Sequence, residues 1–353
     1  MSTTSTTPEE VPSPIDEDYQ TVRSFLEVRS RIFQELMRVQ ELVSAMPEVD
    51  EHFDSQSSRA THPSKKSKIY FFKMMQRIGD EIQKRERLIL PTSKTIHLQA
   101  LDICMAPGGY SSTVLKYNRH AKICGLSLPI DQGGHDVLLP GWQKDKRVTI
   151  KFIDITMLAE EIGFPDLIPQ NHPQASKFSN DLPFQDQTFD IVFCDGQVLR
   201  THARAQGVTH EAPRLSSAQI IIALKRIKQG GTMVMLLHQA YGPNTVRLLE
   251  AFSHFSQISL FKPRVSHKNR SSFYLVAKNL DPKNERAHSL LQDLRKAWRT
   301  YTVQDFAVDI TEDNIEGQQK SLEEIMESFG ETLISLAEPI WELQTTAMRD
   351  KFL

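Results

Sequence analysis

Cysteine is scarce in this chain: 353 residues hold three, Cys104, Cys124 and Cys194, with no Cys-x-x-Cys spacing and no metal-ligand pattern around them. That scarcity excludes a disulfide framework and a structural zinc site. Each cysteine lies in or at the end of an apolar, strand-like run, the place of a reduced core residue. No stretch of about eighteen apolar residues occurs, which leaves no candidate for a membrane-spanning helix. The opening MSTTSTTPEEVPSPIDED lacks the basic-then-apolar layout of a secretory signal, so an intracellular protein, cytoplasmic or nuclear, is expected. Neither sign of charge dominates, with 42 Lys and Arg against 44 Asp and Glu, and no internal repeat is present.

The near-zero net charge conceals an asymmetry. Residues 65 to 87 carry eight Lys and Arg against three acids, whereas 309 to 353 carry eleven acids against three Lys and Arg. The basic stretch suits a phosphate backbone, although charge runs are most often solvated helix faces. Residues 1–16 are Ser/Thr/Pro-rich and acidic, with too little apolar surface to offset the entropy of ordering them, and are expected to be disordered. From 17 to 47, Val22, Phe25, Leu26, Ile32, Phe33, Leu36, Val39 and Val43 recur at helical spacing, which predicts one long amphipathic helix. A polar link completes this N-terminal part, 17–64, and a second helical stretch follows at 67–88.

The periodicity then changes. Short apolar runs at 98–104, 121–126, 148–153, 190–194, 231–237 and 271–277 alternate with helical segments, the pattern of a parallel sheet with crossover helices. A helix at 243–254 and a segment at 257–262 separate the last two runs, which allows an antiparallel final pair. The expected fold is α/β, a Rossmann-like sheet flanked by helices over 65–280, with helical N- and C-terminal extensions. In the acidic extension, 281–353, Leu322, Ile325, Met326, Phe329, Leu333 and Leu336 form an apolar stripe, suited to packing on the domain or to a partner or oligomer helix.

The most specific segment is Leu-Asp-Ile-Cys-Met-Ala-Pro-Gly-Gly-Tyr-Ser, residues 101–111, an apolar strand running into a glycine turn and then a helix. In a doubly wound sheet the ligand lies beyond the strand ends, and glycines in the first strand-to-helix turn let the backbone approach it. The segment resembles the first motif of the FtsJ-type methyltransferases, Leu-Asp-Leu-Cys-Ala-Ala-Pro-Gly-Gly-Phe-Ser. The resemblance implies a class I methyltransferase that binds S-adenosylmethionine through Asp102, Ala106, Pro107, Gly108, Gly109 and Tyr110. It also implies that Asp154, just past the strand VTIKFI, accepts from the adenine amino group, and that Asp195, after FDIVFC, lies in the active site. At the second strand, where the family has an acid for the ribose hydroxyls, this chain has Gly125-Leu126-Ser127, and Ser127, Asp131 and Asp136 are the available substitutes.

The same resemblance implies a Lys-Asp-Lys-Glu catalytic tetrad for ribose 2′-O-methylation. Its first Lys matches Lys73 and its Asp matches Asp195. Leu236 stands where the central Lys is expected and Ser272 where the Glu is expected. His238 shares a strand face with Leu236 and offers a base with an ordinary pKa of about 6.5. His267, Lys268 and Arg270 are further candidates for substrate contacts. No metal is expected. Three functions follow: methylation of an RNA ribose, with Lys65, Lys66, Lys68, Lys73 and Arg77 near the acceptor; methyl transfer to a small-molecule hydroxyl; or a catalytically inactive binding module that keeps the fold.

Overall fold

The computed structural model describes residues 14–46, 49, 64–89, 97–165, 172, 174–198, 210–303 and 320–353. Its strands are β1 (Gln99–Ile103), β2 (Lys122–Ser127), β3 (Val148–Phe152), β4 (Phe189–Cys194), β5 (Ile227–His238), β6 (Gln257–Phe261) and β7 (Ser272–Leu280). They form one seven-stranded sheet in the order β3-β2-β1-β4-β5-β7-β6. The first five strands are parallel, and β7 inserts antiparallel between β5 and β6. The α/β reading therefore holds, including the antiparallel end. The order turns back at β1, which has β2 on one side and β4 on the other, so the connections leaving these strands part company and open a crevice beyond their carboxyl ends.

The helices are α1 (Pro14–Arg29), α2 (Arg31–Ser44), α3 (Lys65–Glu86), α4 (Gly109–Tyr117), α5 (Ala159–Ile162), α6 (Glu211–Arg226), α7 (Pro243–Ser253), α8 (Glu285–Val303) and α9 (Leu322–Phe352). On one face of the sheet, Met74, Met75, Ile78 and Ile82 of α3 pack with Tyr110 and Val114 of α4 over Ile123, Ile191 and Val234. The opposite face carries a larger core from α6, α7, α8 and both terminal extensions. Trp298 of α8 is wholly buried there, and its indole N–H donates to the carbonyl of Thr156 at 3.1 Å, so the ring contributes area without an orphaned donor.

The expected single helix over 17–47 is two helices. The chain is extended at Ser30, whose hydroxyl accepts from the Phe33 amide at 3.1 Å and donates to Glu338 of α9 at 2.8 Å. A serine cap thus interrupts a stripe whose apolar period continues on both sides. The first helix starts at Pro14, inside the stretch expected to be disordered; the rest of that stretch, and nearly all of the polar link before Ser64, lie outside the described residues. At the other end, a capping box of Ser321 and Glu324 starts α9. Its apolar stripe packs on this same chain: Leu322, Ile325, Met326, Phe329 and Leu333 are buried, and α9 lies against α1, α2 and α7. A Cβ at Gly330 would lie 2.4 Å from the Phe25 ring, so a glycine is what lets α1 and α9 approach. Among the described residues, no helix is long and apolar enough to cross a membrane.

Candidate active site

The crevice contains a cavity of about 280 Å³ whose walls come from α3, from the turns after β1, β2, β3 and β4, and from the start of α6. Ala106 and Pro107 line it from the first turn, Asp154 from the turn after β3, and Asp195 from the end of β4. These four of the expected residues are brought together. Asp102, Gly108, Gly109 and Tyr110 are not among the lining residues, and the structure gives each a different task.

Asp102 is 1 % exposed and stands behind the turn, where it accepts the Ser111 hydroxyl at 2.6 Å and ties β1 to the first turn of α4. Burial raises its pKa to about 7, against which the Ser111 hydrogen bonds act only in part. Gly108 has φ +96°, a left-handed conformation that turns the chain from strand into helix. Gly109 lies under α3: an added Cβ would be 2.4 Å from the Met75 Cβ and 2.8 Å from the Phe72 carbonyl oxygen. Tyr110 points into the core, stacks on Phe193 at 5.2 Å, and shares a 2.7 Å hydrogen bond with the Tyr274 hydroxyl.

That tyrosine pair leads to the reacting end of the site. The Tyr274 hydroxyl lies 3.4 Å from Asp195 Oδ1, and both residues line the cavity. Burial, then the negative charge of Asp102, pushes the Asp195 carboxyl up to about 8, while the hydroxyls of Tyr274 and Tyr110 favour its anion. Leu236, in the position of the family's central lysine, lines the cavity beside them and is 7 % exposed. Asp195 therefore meets hydroxyls and hydrocarbon where the tetrad would supply an ammonium.

The tetrad's first lysine is also displaced. Lys73 is exposed on α3 and does not line the cavity, whereas Lys68, Phe71, Met74, Met75 and Ile78 do. With 3.6 residues per turn, Lys73 lies on the side of α3 opposite Phe71, while Lys68 is one turn before Phe71 on the same face. Lys68 pairs with Asp136 at 2.6 Å across the mouth of the cavity. Of the candidates for the absent ribose acid, Ser127 and Asp136 line the cavity and Asp131 is exposed outside it.

His238 ends β5, exposed and outside the lining, with its Nε2 3.0 Å from the amide oxygen of Gln197, which does line the cavity. The surrounding protein, then the charges of Arg270 and Lys262, lower its pKa. Ser272, in the position of the family's glutamate, is buried opposite His238 in the β5–β7 register. Three residues were not singled out by the sequence reading for a role of their own: Gln197, Tyr274 and Lys262. The buried tyrosine was visible only as a letter of the last motif. Lys262 gave no signal, because its burial comes from the β6–β7 turn folding over it. Among the described residues, no group of three or more His, Cys, Asp or Glu side chains is placed to hold a metal.

The residues around the first turn fit an S-adenosylmethionine molecule. A left-handed glycine frees the backbone face of the turn. Asp154 has its Oδ1 committed to the Thr156 amide and hydroxyl, at 2.9 and 2.7 Å, with Oδ2 left for a ligand donor. Leu128, Ile153, Ile155 and Leu215 supply apolar walls.

The sequence profile of the FtsJ-like methyltransferases matches residues 80–280. No curated protein matches the chain in sequence. Similar solved structures include human methyltransferase-like protein 13 in complex with SAH, at 14 % identity over 69 % of this chain and 97 % of that one, with a TM-score of 0.36. Another, described as a ribosomal RNA methyltransferase from Plasmodium falciparum, is 18 % identical over 58 % of this chain and 96 % of that one, with a TM-score of 0.34. The N-methyltransferase NodS of Bradyrhizobium japonicum is 12 % identical over 58 % of this chain and 97 % of its own, with a TM-score of 0.35. With the profile spanning more than half of the sequence, the chain belongs to the FtsJ-like methyltransferase family, whose methyl donor is S-adenosylmethionine.

Proposed function

We propose that the cavity holds S-adenosylmethionine between the first turn and Asp154, and that the chain methylates a ribose 2′-hydroxyl of RNA with Asp195 receiving the acceptor. The observation that carries this reading is Asp195 itself: a carboxylate at the end of a central strand, in the cavity, raised to about 8. A base whose pKa lies near the working pH is both available and strong enough to take a proton from a hydroxyl. When bound, the cofactor supplies an electrophilic methyl group. The protein's part is to hold the acceptor oxygen and relieve it of its proton, and here Tyr274 fixes one carboxylate oxygen while the other faces the acceptor. Ala106 and Pro107 hold the amino-acid end of the cofactor, and Asp154 its adenine.

RNA is favoured by the start of α3. Lys65, Lys66 and Lys68 precede Ile69 and Tyr70, which are 43 % and 57 % exposed at the same end of the helix as the cavity-lining Lys68. Lysines draw a phosphate backbone and an exposed ring offers a stacking surface for an unpaired base. A second reading, transfer to a small hydroxyl compound, is favoured by Leu236 and by the apolar wall of Phe71, Met74, Met75 and Ile78, because an acidic hydroxyl needs no lysine beside Asp195.

The test is transfer of labelled methyl from S-adenosylmethionine to RNA and to phenolic compounds by the wild-type chain and Asp195→Asn, after a calorimetric titration of the cofactor. Transfer to RNA that is lost in Asp195→Asn, with RNA binding that weakens steeply with salt, is the expected result. Transfer to phenols alone establishes the second reading. Cofactor binding with no transfer to either leaves a binding module, and a folded chain that binds no cofactor overturns both enzyme readings.

A further inference from the structure

Beyond β6 and β7 lies a group of basic side chains that the methyl-transfer chemistry leaves unused. Lys262, the first residue after β6, is 5 % exposed, and its ammonium donates to the carbonyl of Ser272 at 2.8 Å and to that of Arg270. His267, half-buried in the turn with φ +57°, lines the cavity. His238 lies opposite Ser272 across the β5–β7 ladder. The charges that act on His267 are those of Arg270, Lys262 and His238, all of one sign. The end of α9 adds to them, since Lys351 lies within reach of the charges of Arg270 and Lys268.

Protonated together, Lys262 and the two histidines repel one another. Burial lowers the Lys262 ammonium to about 7, and burial together with the charges of Arg270, Lys262 and His238 lowers the His267 imidazole to about 4, so each holds its proton poorly. Two polar atoms are also buried without a hydrogen-bond partner: the Ser272 hydroxyl and the Asn269 side-chain nitrogen. Both can donate, and buried donors of this kind are rarely left unpaired. A tetrahedral oxyanion would relieve the repulsion and give each a partner at once.

We propose that Lys262, His267, Arg270 and His238, with the Ser272 hydroxyl and the Asn269 amide, form a phosphoryl-binding site that holds a phosphate group carried by the methyl acceptor. The site opens on the cavity through His267, so the phosphate of an acceptor lies on the β7 side of Asp195 and fixes which hydroxyl reaches it. The site itself stands on the geometry of the β6–β7 turn; the identity of the carrier rests on the RNA reading above.

The histidines report on the site directly. Nuclear magnetic resonance of the imidazole C–H groups in the full chain, assigned with His238→Asn and His267→Asn, is followed while inorganic phosphate or a tetranucleotide is added against chloride of equal ionic strength. The expected result is a saturable shift with a raised pKa at both histidines, tighter with the tetranucleotide than with phosphate. Lys262→Met and Arg270→Gln should each weaken it by roughly tenfold to a hundredfold, the loss of one charge-assisted hydrogen bond. Arg270→Gln serves alone if the buried Lys262→Met chain does not fold. Equal responses to phosphate and chloride overturn the site, and a tetranucleotide that binds no tighter than phosphate overturns the acceptor-borne assignment. Calorimetry of the same sample with S-adenosylmethionine separates the failures: cofactor binding without a phosphate response sinks this site alone, and the reverse leaves the phosphoryl site standing but sinks the methyl-transfer reading and, with it, the methyl acceptor as the carrier.

Discussion

Two sets of acids in this molecule, wholly or partly buried, have opposite surroundings. Glu161, at the end of α5, is wholly buried, and its carboxylate meets Arg226 at 2.5 Å and Lys225 at 3.1 Å. Asp102 and Asp195 meet hydroxyls instead, from Ser111 at 2.6 Å and Tyr274 at 3.4 Å. The cations divide the same way: Arg226 has Glu161, whereas Lys262 has carbonyl oxygens. Under the crevice, away from any ligand, charge is neutralised within the fold. Around the crevice it is segregated, with acids at the ends of β1 and β4 and cations beyond β7. A segregated site is completed by what enters it, and burial without a counter-charge displaces the Asp102 and Asp195 carboxyls and the Lys262 ammonium towards neutrality.

The contrast breaks most sharply at Glu161. Glu161→Ala leaves the Arg226 guanidinium buried without its counter-charge and should cost about 3–5 kcal/mol of stability, measured by urea unfolding. Replacing the pair by apolar side chains, Glu161→Leu with Arg226→Met, should recover most of that loss, because a buried pair seldom outperforms hydrocarbon of similar volume. A single substitution that costs nothing would mean the two acids do not differ in kind.

Asp195→Asn makes the opposite case. It should lower methyl transfer by roughly a hundredfold or more while leaving the unfolding midpoint at pH 8 unchanged or raised. The sign follows from linkage. The folded pKa of Asp195, about 8, exceeds its ordinary value of 3.8, so folding takes up a proton. Its contribution to stability is complete below about pH 4 and is lost as the pH rises through about 8. Asp102, raised to about 7, acts in the same sense. Unfolding of the wild-type chain followed from pH 5 to 8 should show this decline, and Asp195→Asn should flatten it. A wild-type stability that rises over that window would contradict the assignment of both carboxyls.

How much of this was legible in the sequence depends on whether a residue's role follows from its neighbours along the chain. The strands were, since apolar runs such as Ile-Val-Phe-Cys at 191–194 are buried on both faces. The break at Ser30 was not, because the apolar period of α1 resumes in α2, and the serine that caps α2 at the Phe33 amide is anchored by Glu338, more than three hundred residues away. Motif order placed Lys73 in the site, but the facing of α3 is set by the packing of Met75 against Gly109, which turns Lys68 inward instead. Asp102 was found by its motif, and its carboxylate accepts the Ser111 hydroxyl behind the turn. Lys262 was invisible because its carbonyl partners arrive through a turn.

A smaller effect tests the backbone contact under the cofactor turn. Gly109→Ala would drive a methyl group into the Met75 Cβ and the α3 backbone, which cannot swing aside as a flexible side-chain end would. The expected cost is about 1–3 kcal/mol of stability, with weaker cofactor binding as Ala106 and Pro107 shift with the turn. Gly125→Ala is the control, since its new methyl would meet the flexible Met105 Sδ. If the two substitutions cost the same, the close approach of α3 is not what Gly109 provides.

The smallest effect belongs to the ion pair at the cavity mouth, which is the exposed counterpart of Glu161 and Arg226. Lys68 and Asp136 are 36 % and 43 % exposed, so Lys68→Ala should change stability by about 0–1 kcal/mol, within the range of solvated pairs. Its consequence for the ligand is larger than for the fold. Asp136 lines the cavity near the end of β2, where the family's ribose-binding acid is replaced by Ser127, and Lys68 engages its Oδ2 at 2.6 Å. Freed of the lysine, that carboxylate can accept from a ribose hydroxyl, and S-adenosylmethionine should bind roughly threefold to tenfold more tightly by calorimetry. Asp136→Asn should abolish the gain in the Lys68→Ala background. A loss of affinity in Lys68→Ala would instead place the lysine, not the aspartate, in contact with the cofactor, and would extend the segregated charge of the crevice to its outer rim.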